Sequence, residues 1–170
     1  MDKELLKQKV CAAIDASAAQ IKAIADSIGD EPELGFKEVK TSAKVADFLR
    51  ELGLEPQTGL AINGVKARAK GGKPGPTAAV LGELDAVGCP ESAKADPMTG
   101  AAHACGHNLQ VATMLGAACG IMKSGVLSEL AGDVVFFGVP AEEYIEIEYR
   151  KKLLKAGKAA LLKWQGTADL

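Results

Sequence analysis

The only two histidines of this 170-residue chain stand four positions apart, in Gly100-Ala-Ala-His103-Ala-Cys105-Gly106-His107-Asn108, with one of the four cysteines between them. A thiolate and a neutral imidazole are ligands for zinc and similar divalent metals. Gly106 lets the backbone bend tightly, so that Cys105 and His107 can converge on one point. The apolar pattern that follows, Leu109 to Gly116, reads as a buried helix. The cluster therefore sits on a loop at a helix N-terminus, where the helix dipole favours a thiolate over a thiol. His-x-Cys-x-His has too few ligands to hold a metal alone, since a structural zinc site takes four. A packed thiol beside a histidine is the plain alternative. A nucleophilic Cys/His pair fits less well, because the fold normally brings such pairs together from distant positions.

Further donors stand at strand ends. Thr77-Ala-Ala-Val-Leu-Gly-Glu-Leu84 reads as a central strand buried on both faces, and it delivers Glu83, Asp85 and Ala86 at its C-terminal end. Asp133-Val-Val-Phe-Phe-Gly-Val139 reads as a second strand, ending in Pro140-Ala141-Glu142-Glu143. In open α/β sheets, ligands bind beyond the carboxyl ends of strands. Asp85, Cys105, His107, Glu142 and Glu143 thus come from three segments that one sheet can bring to one edge. Cys, His and Glu together suit zinc or manganese. One acid of the adjacent pair can stay off the metal and act as general base on a metal-activated water. Adjacent glutamates are often a solvated surface pair, but Pro140-Ala141 breaks the strand just before this one. Asp85 reads either as the orienter of a histidine ligand or as an ordinary strand-end turn residue.

The elements that must position these groups follow from periodicity. Leu6, Val10, Ile14, Ala18, Ile21, Ala25 and Ile28 recur every three or four residues, which predicts one long amphipathic helix from Asp2 to Ile28, stopped by Gly29 and Pro32. A second helix is predicted over Lys37 to Leu52, with Val39, Ala43, Ala46, Leu49 and Leu52 inward and Gly53 closing it. After the Asn63-Gly64 turn, Val65, Ala67 and Ala69 alternate with basic residues, as in a strand with one wet face. Ala86 to Ala102 reads as an irregular loop, a length usually tied to function. Asn108 to Lys123 is a buried helix. Tyr144 to Ala156 is a charged one, and Lys158 to Leu170 carries a short apolar run before Trp164.

Composition narrows the class. Charge is balanced, with 20 basic and 22 acidic residues and a net charge of −2, so no nucleic-acid footprint appears. No apolar run reaches the ~18–20 residues needed to span a bilayer, and no signal segment opens the chain. The cysteines Cys11, Cys89, Cys105 and Cys119 lack framework spacing, which suits a reducing, cytoplasmic setting. Few aromatics and abundant Ala and Gly favour packed α/β layers. One domain with a real core is expected, with no internal repeat.

Four motifs, Pro32-Glu-Leu-Gly-Phe36, Glu83-Leu-Asp-Ala86, His103-Ala-Cys-Gly-His-Asn108 and Pro140-Ala-Glu-Glu143, occur in an order that resembles the dimetal amidohydrolases of the aminoacylase and carboxypeptidase type. The nearest branch is that of hippurate hydrolase, auxin-conjugate hydrolases and p-aminobenzoyl-glutamate hydrolase. The resemblance covers Ile24 to Lys158. It implies a three-layer zinc-exopeptidase-like α/β domain with a mixed, mostly parallel sheet. It implies Cys105 as the metal-bridging thiolate, His107 and Glu143 as metal ligands, Glu142 as general base and Asp85 as the strand-end acid beside the site. Two zinc or manganese ions would complete the family site. Substrates would be N-acyl amino acids or dipeptide-like amides, and full-length members would be homodimers.

Two residues depart from that pattern. Asn108 stands where the family commonly has Asp, and Tyr144 replaces a usual small residue, which would narrow the pocket or mark a subgroup. No histidine follows His107, whereas the family carries two more, and the inserted lid and dimerisation domain is missing. Residues 1–170 are therefore expected to form the N-terminal part of the catalytic domain. The expected behaviour is that of a metal-dependent amide hydrolase inactive as this chain, or of a non-catalytic remnant that binds one metal weakly.

Overall fold

The computed structural model describes residues 2–157; the predicted run from Lys158 to Leu170 lies outside the described residues. Four strands form a mixed sheet in the order β1 (Gln57–Leu60), β2 (Gly64–Ala69), β6 (Ala131–Val139), β3 (Lys73–Glu83). β6 runs parallel to β3 and antiparallel to β2, and β1 and β2 form a hairpin. The mixed α/β class matches the sequence reading, but two of the three pairings are antiparallel. Within the segment expected to be irregular, β4 (Val87–Gly88) and β5 (Ala101–Ala102) pair as a short ribbon.

The N-terminal stripe forms two helices, α1 (Lys3–Ala16) and α2 (Ala18–Gly29), rather than one. Ser17 breaks the run at φ −99°, ψ 2°. Its buried hydroxyl accepts a hydrogen bond from Lys123 Nζ at 3.1 Å, so Ser17 takes the inward place expected of Ala18. Helix α3 (Val39–Glu51) buries Thr41, Val45, Ala46, Phe48 and Leu49. Val39 and Ala43, both read as inward, are exposed, Val39 by 65% at the first residue of the helix. α4 (His107–Lys123) is buried on almost every side, between β3 below and α1 and α2 above. Its Ala and Gly content is what lets three neighbours approach. α5 (Ile147–Lys155) begins three residues later than periodicity implied. No described helix is long and apolar enough to cross a membrane.

The reading of Thr77–Leu84 as a central strand buried on both faces is corrected. Among the described residues β3 pairs only with β6, and β6 is the strand flanked on both sides. Leu81 is 47% exposed and Ala78 and Ala79 lie open. An apolar run reports that a strand suits burial, not which neighbours supply it. Only the C-terminal end of β3 is covered, where Gly82 passes under α4 and Leu84 enters the core. A Cβ at Gly82 would stand 2.9 Å from Val111 Cα. Gly82→Val should therefore cost about 1–3 kcal/mol by overpacking, read as a lowered urea midpoint. Gly88→Ala, where a Cβ meets nothing within 4 Å, serves as the control. Equal midpoints for the two variants would contradict this contact.

Candidate metal and catalytic site

The site is built where β3 and β6 end side by side. The last paired residues are Glu83 on β3 and Val139 on β6. Asp85 follows Glu83 by two, and Glu142 follows Val139 by three. Gly106, at φ 81°, turns the chain so that His107 opens α4 directly above these ends.

His107 is 4% exposed and is held at both ring nitrogens. Nδ1 lies 2.8 Å from the Asp85 carbonyl oxygen and 3.3 Å from Asp85 Oδ1. Nε2 lies 2.9 Å from Glu83 Oε2 and 3.5 Å from Glu143 Oε1. The Asp85 hydrogen bond, against the opposing pull of burial, pushes the imidazole up to about 9. Without metal the ring is therefore an imidazolium at neutral pH, donating from both nitrogens.

Asp85 is 1% exposed. Burial pushes its carboxyl up. The His107 hydrogen bond and the N–H groups of Glu143 and Glu142 outweigh that and hold it below the usual range. Its Oδ2 accepts from the Glu143 N–H at 3.2 Å. Asp85 thus ties the end of β6 to the start of α4.

Glu83, Glu142 and His107 bring one ligand atom each within 4.8 Å of one another. Burial, then the neighbouring charges of Glu83, Glu143 and Asp85, raise the Glu142 carboxyl. Cys105 is exposed beside them. A hydrogen bond to the Glu143 carboxylate pushes its thiol up to about 11, with burial and further acids acting the same way. The thiolate expected from the helix dipole is thus corrected to a thiol: close carboxylates outweigh a partial charge at the helix end. Four acids share one imidazolium here. A donor set of thiol, imidazole and crowded carboxylates, with the far histidine nitrogen fixed by Asp85, fits a divalent cation, whose charge would relieve that crowding.

The structure thus brings together Asp85, Cys105, His107, Glu142 and Glu143, and adds Glu83. Glu83 went unweighted because an acid at a strand end has no spacing signal of its own. The signal available was the acid–Leu–acid alternation, which puts Glu83 and Asp85 on the same side of the chain. Gln110 was also missed; its side-chain amide donates to Glu83 Oε2 at 2.9 Å from one turn into α4.

Two motif residues point elsewhere. His103 has both ring nitrogens buried without a hydrogen-bond partner, and burial pushes it down to about 4. It borders a cavity of ≈150 Å³ with Gly29, Ser92, Lys94 and Asn108. Asn108 donates from Nδ2 to the Ala25 carbonyl of α2 at 3.2 Å. It braces two helices rather than backing a ligand, and a carboxylate there would face a carbonyl oxygen. Tyr144 lays its ring 4.6 Å from the Arg150 guanidinium carbon.

No family model matches the chain. Over 134 residues it is 35% identical to thermostable carboxypeptidase 2 of Saccharolobus solfataricus, covering 76% of this chain and 34% of that protein. Over 135 residues it is 35% identical to N-acetylcysteine deacetylase of Bacillus subtilis, covering 75% and 34%. The fold matches the Bacillus subtilis YXEP protein, a dinuclear metal binding peptidase from the M20 family, with a TM-score of 0.67 and 31% identity, over 84% of this chain and 40% of that one. The chain spans about a third of the length of the curated relatives it matches. Over three quarters of its residues the chain is thus similar in sequence to these amidohydrolases and carboxypeptidases, and in fold to a dinuclear metal binding peptidase of the M20 family.

Proposed function

We propose that the chain carries part of the site of a metal-dependent amide hydrolase acting on N-acyl amino acids or small peptide-like substrates. The observation that supports this most is the hold on His107, with Asp85 behind Nδ1 and carboxylates in front of Nε2. Relatives named for carboxypeptidase and N-acetylcysteine deacetylase activity support the amide chemistry. In this reading Cys105, His107 and Glu143 hold metal, zinc or manganese, and Asp85 keeps the ring oriented. When bound, a divalent metal would acidify a water and polarise an amide carbonyl. Glu142, its carboxyl raised, takes a proton from the attacking water and returns it to the leaving amine. Glu83, tethered by Gln110, balances the charge of the imidazolium. A reducing, cytoplasmic setting suits the reading, because a ligating thiol must stay reduced. Residues 1–170 would form the N-terminal part of the catalytic domain.

A binding-only chain is the second reading, favoured by the donor count. Paired ions about 3.5–4 Å apart need ligands on both sides, and the only histidines are His103 and His107. The chain alone is accordingly expected to release little or no amino acid from N-acetyl substrates with added zinc or manganese. Robust turnover would overturn that expectation.

Cobalt(II) gives a thiolate charge-transfer band that reads the site directly. Cys105→Ser should abolish the band and weaken binding about tenfold or more, while Cys11→Ser and Cys119→Ser keep it. Equal spectra in all three would count against Cys105 as a ligand.

The proton on His107 also predicts a pH slope for the metal-free chain. Its folded pKa, about 9, lies above the ordinary 6.5, so the folded state binds the extra proton between these values. The contribution is full below pH 6.5 and is lost as pH rises to about 9. Unfolding in chelator should show stability falling over that window, with His107→Gln flattening the slope. A slope unchanged in the variant would place the titration elsewhere.

A further inference from the structure

Glu142 and Glu143 follow a residue with unusual backbone geometry. Ala141 is fully buried at φ 51°, a left-handed conformation that strains a non-glycine residue. Such a conformation persists only where its surroundings over-determine it. Here two buried charged side chains of opposite sign grip it. The Ala141 N–H donates to Glu38 Oε1 at 2.7 Å, and the Ala141 carbonyl accepts from Arg150 Nη2 at 2.5 Å.

Each of the two is itself fixed. Glu38 is fully buried and its other oxygen accepts from Asn63 Nδ2 at 2.9 Å. The Arg150 guanidinium carbon lies 4.7 Å from the Phe36 ring centroid and 4.6 Å from that of Tyr144, stacked between two aromatic rings. Gly35 closes the remaining side; a Cβ there would stand 3.1 Å from Ala141 Cβ. The cost of burying two charges is offset only if they meet good partners, and the partner they share is one backbone residue. An ordinary loop needs no such arrangement.

We propose that Glu38 and Arg150 are positioning residues that clamp Ala141 from both sides and thereby set where Glu142 and Glu143 stand relative to His107. The role extends the metal-site reading and, where metal binding is the readout, rests on it. Through it the Pro32–Phe36 loop and α5, neither of which supplies a ligand, act on the site.

The test compares Glu38→Met and Arg150→Met with Glu38→Gln, whose amide oxygen can still accept from Ala141. In the metal-free chain, amide exchange at Ala141 and Glu143 should quicken about tenfold or more in both methionine variants, the effect of losing a charge-assisted hydrogen bond. Exchange at Leu115 and Phe136 in the core should stay as in the wild type, and Glu38→Gln should keep most of the protection. Cobalt(II) affinity should fall in the same order. Unchanged exchange at Glu143 in the methionine variants overturns the proposal. If a methionine variant loosens the core amides as well, Arg150→Lys decides: selective loosening at 141–143 supports the clamp, and uniform or absent change overturns it. A wild-type chain that binds no cobalt refutes the metal reading alone, because exchange still decides the clamp.

Discussion

One buried carboxylate holds three segments together. Asp85 sits just past the end of β3, receives the first side chain of α4 and accepts a backbone N–H from the loop after β6. A carboxylate taken out of water is costly unless its oxygens find donors. Here Oδ2 accepts from the Glu143 N–H and Oδ1 faces the His107 ring at 3.3 Å, so both partners belong to the elements that must converge. The energy that compensates burial is thus the same energy that assembles the site. A neutral residue at this position would remove the ion pair to His107, leaving its Nδ1 only the carbonyl oxygen of residue 85 at 2.8 Å.

The electrostatics around that contact run against an ordinary stable fold. Four carboxyl groups crowd one imidazole, which answers by keeping its proton up to about 9. Cys105 answers in the same sense, its thiol held up to about 11 by Glu143. Backbone strain gathers nearby as well: Phe36, Ala141, Tyr144 and Glu146 all have positive φ. Crowded like charges and left-handed non-glycine residues each cost stability, and together they mark where structure has been spent on positioning. A proton on His107 is the smallest cation that eases the crowding.

How much of this was legible in the sequence depended on range. The His-x-Cys-x-His spacing, the Gly106 bend and the acid-tipped strands are local, and the expectation of a site at this sheet edge rested on them. Helical periodicity found the helices themselves, because a period of 3.6 is written in neighbours, but on α3 it named Val39 and Ala43 as inward where Thr41, Val45 and Phe48 are buried. What was missed depended on partners distant in sequence. The break at Ser17 is anchored by Lys123, and the exposure of β3 depends on which strand lies beside it. The clamp on Ala141 joins Glu38 to a residue 103 positions away, and no spacing rule reaches that far. The thiol state of Cys105 was misread for a related reason: the helix dipole is visible in sequence, while the carboxylate of Glu143 beside it is not.

Register is what finally binds chemistry to fold. Glu83 and Asp85 flank Leu84, which is fully buried in the main core. Side chains along a strand alternate, so a slip of one residue would turn the acids into the apolar core and the leucine out of it. The apolar cost of that slip falls on a residue that also packs against Gly138 of β6, the neighbouring strand. Hydrophobic burial therefore enforces the placement of the carboxylates, although no carboxylate contributes to it. The open outer edge of β3 does not weaken this, because pairing with β6 and the cover of α4 already determine the register.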